Sequence, residues 1–295
     1  MIYFLKRGDI AIVKYDMCIE NAINSRIYAY SWYLDAVADN WDALILNDYE
    51  AVMPLPWRQK YLIKYIYPPA WTQQLGIFSS SEIAEPLVLK FIKAIPKKFK
   101  KINIQFNSGN PISGKNVTER VNYILPLDKP YEELFKGYRK DRRERIRSNV
   151  NSVIQTNNKR LKELIDLSAR FYSDKFLLSN KSIKSLEKLV EIGVKKGIID
   201  LKLDIEKHSE DILAGALFFN FGNRVVYLFS AQSDAGRKAN SLSIILNTVI
   251  KENSNTDKIL DFEGSMIPGI ADFFKSFGAE RERFYRLEYK RLELF

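Results

Sequence analysis

The chain is poor in the residues that build covalent and metal frameworks. Its 295 residues include one cysteine, Cys18, and one histidine, His208. A lone cysteine excludes an internal disulfide framework and fits a reducing compartment. Together the two singletons are too few for a structural zinc site of Cys and His ligands. The single imidazole also weighs, weakly, against Ser–His chemistry. Cys18 reads as a small buried hydrophobe, and His208, in a Lys-His-Ser-Glu turn, as a solvated side chain. Glycine and proline are scarce at 13 and 10, and 13% of the residues are aromatic, the reverse of a disordered composition. No apolar run approaches the roughly 18 residues a membrane-crossing helix needs. Lys6 and Arg7 interrupt the only early apolar stretch, so the expectation is no secretory signal, no transmembrane segment and a cytoplasmic location.

What is present is an ordinary globular mixture, 46% hydrophobic and 28% charged. The formal charge is +10, from 46 basic and 36 acidic residues. Residues 1–127 carry 15 basic and 11 acidic groups, or +4, and the rest carries +6. The segment 136–147, KGYRKDRRERIR, alone holds seven basic and two acidic groups, or +5. Such a patch meets a local anionic partner, or it is a solvated helix face that aids solubility. Its candidate anion- or RNA-binding residues are Arg139, Lys140, Arg142, Arg143 and Arg147, and Arg145 shares the segment.

The first third reads as strands and aromatic turns. A helix is predicted around Ser31–Ala38, then the apolar runs Trp41–Asp48, Glu50–Pro56 and Tyr61–Tyr67, the last stopped by Pro68-Pro69. This is the pattern of an antiparallel meander. Ser81–Lys93 looks helical and Lys101–Asn107 alternates as a strand. Val121–Leu127 is a further strand. Helices are predicted over Tyr131–Val150, where the apolar face fails at Arg142, and over Lys159–Tyr172 and Ser182–Lys196, with Gly197 as the stop. Then come a strand alternating over Ile199–Ile205, a hairpin of Ile212–Asn220 and Arg224–Ala231 turning at Gly222, and a loop, Gln232–Asn240. A helix (Ser241–Glu252), a strand (Lys258–Phe262), a short helix (Ile267–Phe277) and a strand (Arg281–Leu292) complete the chain. Ser265 is placed to cap the short helix, with Pro268 in its first turn and Gly278 at its end. The boundary between two packed halves is expected near residues 127–130, giving domains 1–127 and 128–295.

The aromatic stretch of the first half carries its own candidates. Trp57, Tyr61, Tyr65, Tyr67 and Trp71 are interleaved with Arg58, Lys60 and Lys64. Aromatics at strand spacing form either core or a stacking groove for a sugar, peptide or nucleotide. Trp71, Gln73 and Gln74 follow the Pro-Pro stop in a predicted loop, the better place for a site. Asp261 and Glu263 lie two apart on the predicted strand and so share a face. Either could take a proton, or Asp261 could satisfy backbone groups at the strand end while Glu263 precedes the turn at Gly264.

The order strand, hairpin, strand, helix, strand, helix, strand resembles the fold of the Gcn5-related N-acetyltransferase (GNAT) superfamily. Gly236–Ala279, with an Asp-Phe strand end, Gly264 and Lys275–Gly278 (KSFG), resembles the C-terminal signature of its FemABX-like branch, and so does the basic entry Tyr131–Arg147. That resemblance implies an α/β (α+β) chain of two tandem acyltransferase domains, each a mixed, mostly antiparallel sheet flanked by helices. The first domain would be degenerate and supply acceptor contacts from Trp57, Arg58, Trp71, Gln73 and Gln74. The second would bind the donor through Tyr227, Ser230, Gly236, Arg237, Lys238, Asn240 and Ser241. The loop departs from the superfamily's Arg/Gln-x-x-Gly-x-Gly/Ala pattern, keeping one glycine ahead of Arg237. It is either an anion-binding helix entry or a plain basic turn. The implied activity moves an acyl or aminoacyl group from CoA or tRNA to a small-molecule or peptide amine by direct attack, with Glu263 or Asp261 as base and no metal. Members of the branch use aminoacyl-tRNA to extend cell-wall precursors, which would bring the basic segment to tRNA. The alternative is a non-catalytic module of the same fold that binds RNA or an anionic polymer through residues 136–147.

Overall fold

The computed structural model describes residues 1–149, 152–171, 177–207, 209–264 and 266–291. His208 and the proposed cap Ser265 lie outside the described residues. Contacts divide the chain into two compact units, Met1–Arg120 with Arg283–Phe295, and Val121–Glu282.

The first unit opens with β1 (Ile2–Lys6), α1 (Ile12–Glu20) and α2 (Ser31–Val37). The meander follows as β2 (Asn40–Leu46), β3 (Ala51–Lys60) and β4 (Ile63–Ile66), then the short β5 (Phe78–Ser79), α3 (Glu85–Ala94) and β6 (Phe99–Phe106). Two strands straddle the division: β7 (Val117–Pro126) leads out of this unit, and β13 (Glu280–Lys290) returns to it. The strand order is β1-β2-β3-β4-β6-β13, with β5 on β3. Among the described strands of this unit only β4–β6 is parallel; β13 runs antiparallel to β6 from Tyr285↔Phe106 to Lys290↔Lys101. The core gathers Leu44, Met53, Leu55, Phe91, Phe99, Ile104 and Phe106. The meander, α2 and β6 stand where the sequence puts them. β1 and α1 were not legible, because α1 buries only Tyr15 and Ile19 and shows little apolar periodicity.

The second unit contains α4 (Tyr131–Gly137), α5 (Lys140–Ser148), β8 (Val153–Thr156), α6 (Leu161–Phe171) and α7 (Asn180–Lys196). The strands β9 (Ile199–Ile205), β10 (Ile212–Phe221) and β11 (Arg224–Gln232) follow. Last come α8 (Asp234–Lys238), α9 (Ser241–Asn253), β12 (Ile259–Asp261) and α10 (Pro268–Lys275). The strand order is β7-β12-β11-β10-β9-β8, and among these described strands only β11–β12 is parallel. Each unit is thus a mixed, mostly antiparallel sheet flanked by helices. Gly222 makes the β10–β11 turn at φ +56°, and Gly197 ends α7 at φ +67°, both left-handed conformations that glycine adopts without a Cβ clash.

Two sequence expectations need correction. The single helix over Tyr131–Val150 is two helices, because Tyr138 and Arg139 are extended, with ψ 148° and 146°. Gly137 weakens the helix there, and the Tyr138 ring is drawn into the core, 5.2 Å from both Phe135 and Phe277. The loop Gln232–Asn240 contains α8, capped by Ser233, whose Oγ accepts from the Gly236 amide at 3.0 Å. Among the described residues no helix is long and apolar enough to cross a membrane.

Candidate functional site

The second unit's sheet divides where β12 stops. β11 and β12 pair from Arg224↔Ile259 to Val226↔Asp261. β11 runs on to Gln232 while the other chain turns away, so the two backbones diverge beyond Val226. Tyr227 and Ser230 lie on this divergent stretch. The Tyr227 ring is in the core, 5.5 Å from Phe218, and its hydroxyl donates to Ser230 Oγ at 2.6 Å.

At the end of β11, α8 and α9 form a corner. A Cβ on Gly236 would lie 2.1 Å from the Leu213 carbonyl oxygen, so glycine is needed for α8 to sit against β10. That packing accounts for the glycine without any ligand. The amides of Gly236, Arg237, Ala239 and Asn240 all donate within this corner. Arg237 and Lys238 are exposed; Arg237 is 3.9 Å from Asp234. Asn240 is left-handed at φ +58° and accepts from Arg145 Nη1 at 3.4 Å. Ser241 starts α9 fully buried, and its Oγ has no hydrogen-bond partner among the described residues.

Asp261 and Glu263 do not share a strand face, which corrects the sequence expectation. β12 ends at Asp261, and Glu263 sits in a turn at φ +54°. Asp261 is 1% exposed and accepts from Arg224 Nη1 at 2.6 Å, from Asn122 Nδ2 at 2.9 Å and from the Glu263 amide at 2.9 Å. Arg224 Nη2 donates to Glu282 at 2.7 Å, and Asn122 donates to the same carboxylate at 2.9 Å. Two carboxylates enclosing one guanidinium hold the Arg224 pKa above its ordinary value despite burial. A Cβ on Gly264, at φ +50°, would strike the Asn122 backbone at 2.5 Å, so the turn is pressed onto this network. The half-buried Glu263 carboxylate is therefore carried on a turn that Asp261 holds through its backbone.

Sequence reasoning missed Arg224, Asn122 and Glu282. The one available signal was Asn122, a polar residue inside the apolar run Val121–Leu127.

The basic segment is less uniform than its charge suggests. Arg142 is not a surface residue, which corrects its place in the patch. It is 5% exposed, lies 4.6 Å over Phe273 and 5.0 Å over Phe277, and donates to Ser276 Oγ at 2.9 Å and to Ser243 Oγ. Burial, reinforced by repulsion from Arg145, pushes its pKa down to about 10. The failure of the apolar face at Arg142 was the cue, since the residue occupies a core position of the helix. Arg139 is clamped by Asp141 and Asp272 at 2.6 and 2.9 Å. Arg143 donates to the carbonyls of Lys136 and Tyr138, and Arg147 lies 5.3 Å over Phe135. Lys140 and Arg145 are exposed, Lys140 3.9 Å from Glu144.

In the first unit the aromatic candidates separate. Trp57 packs on the core, 6.1 Å from Phe99, with Lys64 Nζ 4.7 Å over its ring. Its neighbour Arg58 lies 3.8 Å over Tyr67 and 3.3 Å from Asp39. Trp71, left-handed at φ +62°, accepts from the Tyr33 hydroxyl through its carbonyl. Gln73 accepts from Gln74 at 2.8 Å, and the buried Gln74 accepts from the Ser108 amide at 3.2 Å. Gln73 and Tyr67 line a narrow cleft with Pro54, Pro56 and Gln105. Trp57 is not among that lining.

No protein-family model matches the sequence, and no curated protein matches it. Solved structures do match. FemX aligns over 96% of this chain and 96% of its own, with a TM-score of 0.68 and 16% identity. A tandem GNAT protein from the clavulanic acid biosynthesis pathway aligns over 99% and 100%, with a TM-score of 0.55 and 9% identity. The L-PGS of Bacillus licheniformis aligns over 95% and 91%, with a TM-score of 0.52 and 12% identity. At these identities the likeness is one of fold. The chain has the fold seen in FemX and in the tandem GNAT protein.

Proposed function

We propose that this protein is an N-acyltransferase that moves an acyl or aminoacyl group from a CoA or tRNA carrier to an amine. The observation that carries the reading is the divergence of β11 and β12 beyond Val226: β11 runs on toward the α8–α9 corner that follows it in the chain, and the other chain turns at Glu263. A divergent strand edge gives an extended carrier arm backbone groups to pair with. The amine nitrogen attacks the donor carbonyl carbon as the carrier's thiol or hydroxyl leaves with the bond electrons. Glu263 takes the proton from the amine, directly or through water. Holding both reactants in line supplies much of the acceleration. Arg237, Lys238 and the first turn of α9 beside Asn240 and Ser241 favour the carrier's phosphates. Asp261 acts by holding the Glu263 turn. A small-molecule or peptide amine fits the acceptor role.

One observation favours a second reading, a non-catalytic module that binds RNA or another anionic polymer. The α8 amides are already used within the chain, so the corner offers an anion fewer donors than an open glycine loop.

Thermal stabilisation separates the readings. A carrier at ~100 times its Kd raises stability by about 2.7 kcal/mol. Acetyl-CoA and longer acyl-CoAs are compared with charged and uncharged tRNA. A shift with an acyl-CoA, or with charged tRNA above uncharged, supports the transferase. Equal shifts with both tRNAs, lost at high salt and without acyl transfer, support the binding module. Retention of every donor shift by the Arg237→Ala/Lys238→Ala variant would overturn the assignment of the carrier corner.

A further inference from the structure

The β3–β4 hairpin ends in a two-residue turn that breaks the usual turn chemistry. Lys60 pairs with Ile63, which leaves Tyr61 and Leu62 as the turn. Tyr61 has φ +53°, at a position where glycine is the ordinary occupant. A bulky aromatic residue there is strained, and glycine or asparagine would hold the hairpin at lower cost. Tyr61 is 85% exposed, Leu62 92% and Ile63 52%. Among the described residues, none of these three side chains belongs to the core cluster of this unit. Broken local rules gather at functional sites, so the strained turn points to a role for the tip.

Along the hairpin sequence the charge has one sign, with Asp39 reaching Arg58 nearer its base. Residues 51–81 contain no aspartate or glutamate, and Lys60 and Lys64 flank the turn. Lys60 is exposed, and its ammonium lies 5.7 Å over the Tyr61 ring. The exposed apolar side chains of the tip are three, beside an exposed Lys60 and a half-buried Lys64 whose ammonium lies 4.7 Å over Trp57. A protein interface needs roughly 800 Å² per partner, which such a tip does not offer. A bilayer makes no such demand. Its interface accepts a single amphipathic aromatic beside an aliphatic chain, and its anionic headgroups attract lysines within about a Debye length.

We propose that the Tyr61–Leu62 tip is a membrane-docking wedge that enters the headgroup–acyl boundary of an anionic phospholipid surface, with Lys60 and Lys64 on the headgroups. The wedge stands whether or not the transferase reading does. Two short apolar side chains and two charges give weak, reversible, salt-sensitive association.

The test is co-sedimentation of the full chain with vesicles of pure phosphatidylcholine and of phosphatidylcholine with phosphatidylglycerol. Wild type should bind the anionic vesicles and leave the neutral ones largely free. A Tyr61→Gly/Leu62→Asn variant should keep or raise the melting temperature, because it restores ordinary turn residues, and lose at least about tenfold in vesicle partitioning. Lys60→Gln/Lys64→Gln should lose most of the preference for anionic vesicles. Binding that is unchanged in the turn variant overturns the proposal, as does no wild-type binding to either vesicle. Reversible self-association in sedimentation equilibrium that the turn variant abolishes also overturns it, by naming a second copy as the occupant.

Discussion

Arg224 Nη1 lies 2.6 Å from Asp261 Oδ2, with 11% and 1% of the two side chains exposed. The pair joins the first residue of β11 to the last of β12, spanning the three-residue stretch over which those strands pair. Removing the guanidinium would leave two buried carboxylates facing each other. Arg224→Met should therefore destabilise the protein by about 3–5 kcal/mol in urea unfolding. Asp261→Asn should cost less, because Glu282 still compensates Arg224 and the amide oxygen can still accept from the Glu263 amide.

Glu263→Gln should separate chemistry from binding. The substitution keeps the side-chain shape and the Asp261 contact to the backbone amide. Turnover should fall by about 10²–10⁴-fold, and donor-induced stabilisation should be unchanged. Single-turnover transfer together with thermal shift reads both quantities.

Gly236→Ala tests whether that glycine serves packing. Its Cβ would lie 2.1 Å from the Leu213 carbonyl, which is backbone and yields little. A loss of about 1–3 kcal/mol in stability is expected, with or without donor.

Cys18 should be inert in the native protein. Burial pushes its thiol up to about 11, so little thiolate exists at neutral pH. Ellman's reagent should modify it slowly at pH 7.5, and at the rate of a free thiol once urea unfolds the chain.

Arg139 holds the Asp141 carboxyl down at about 2, chiefly through a side-chain hydrogen bond. The folded value lies below the unfolded one, so the pair's contribution is complete above about pH 4 and is lost as pH falls through about 2. Both side chains are exposed to solvent, which limits that contribution to under about 1 kcal/mol. Arg139→Ala should return the carboxyl to about 3.9, followed by carbon-detected NMR titration.

The elements that patterning reveals are those with a strict alternation or a continuous apolar run, even where the polar members end up buried, as Lys202 and Asp204 do. Ile199–Ile205 alternates, and the structure makes it β9; Ile212–Asn220 is almost wholly apolar and becomes the buried β10. What escaped were segments whose order is decided by distant partners. α8 exists because Gly236 can approach Leu213, and the α4–α5 break exists because Tyr138 finds Phe277. The candidate site divided in the same way. Glu263, Asp261 and the α8–α9 corner could be named from local sequence. The Arg224–Asn122–Glu282 partners could not, because they are brought in from positions up to 160 residues apart. Arg142 shows how charge counting misleads, since a cation in a core position of a helix need not reach the surface.

The return of Arg283–Phe295 to the first unit has a consequence for synthesis. β6 emerges early from the ribosome, yet its antiparallel partner β13 is made only after all of Val121–Glu282. At roughly 5–20 residues per second, the delay is on the order of ten seconds. Throughout it the N-terminal unit has an open strand edge, of the kind chaperones bind and other chains can pair with. The second unit can therefore finish folding before the first, in reverse of their order in the gene.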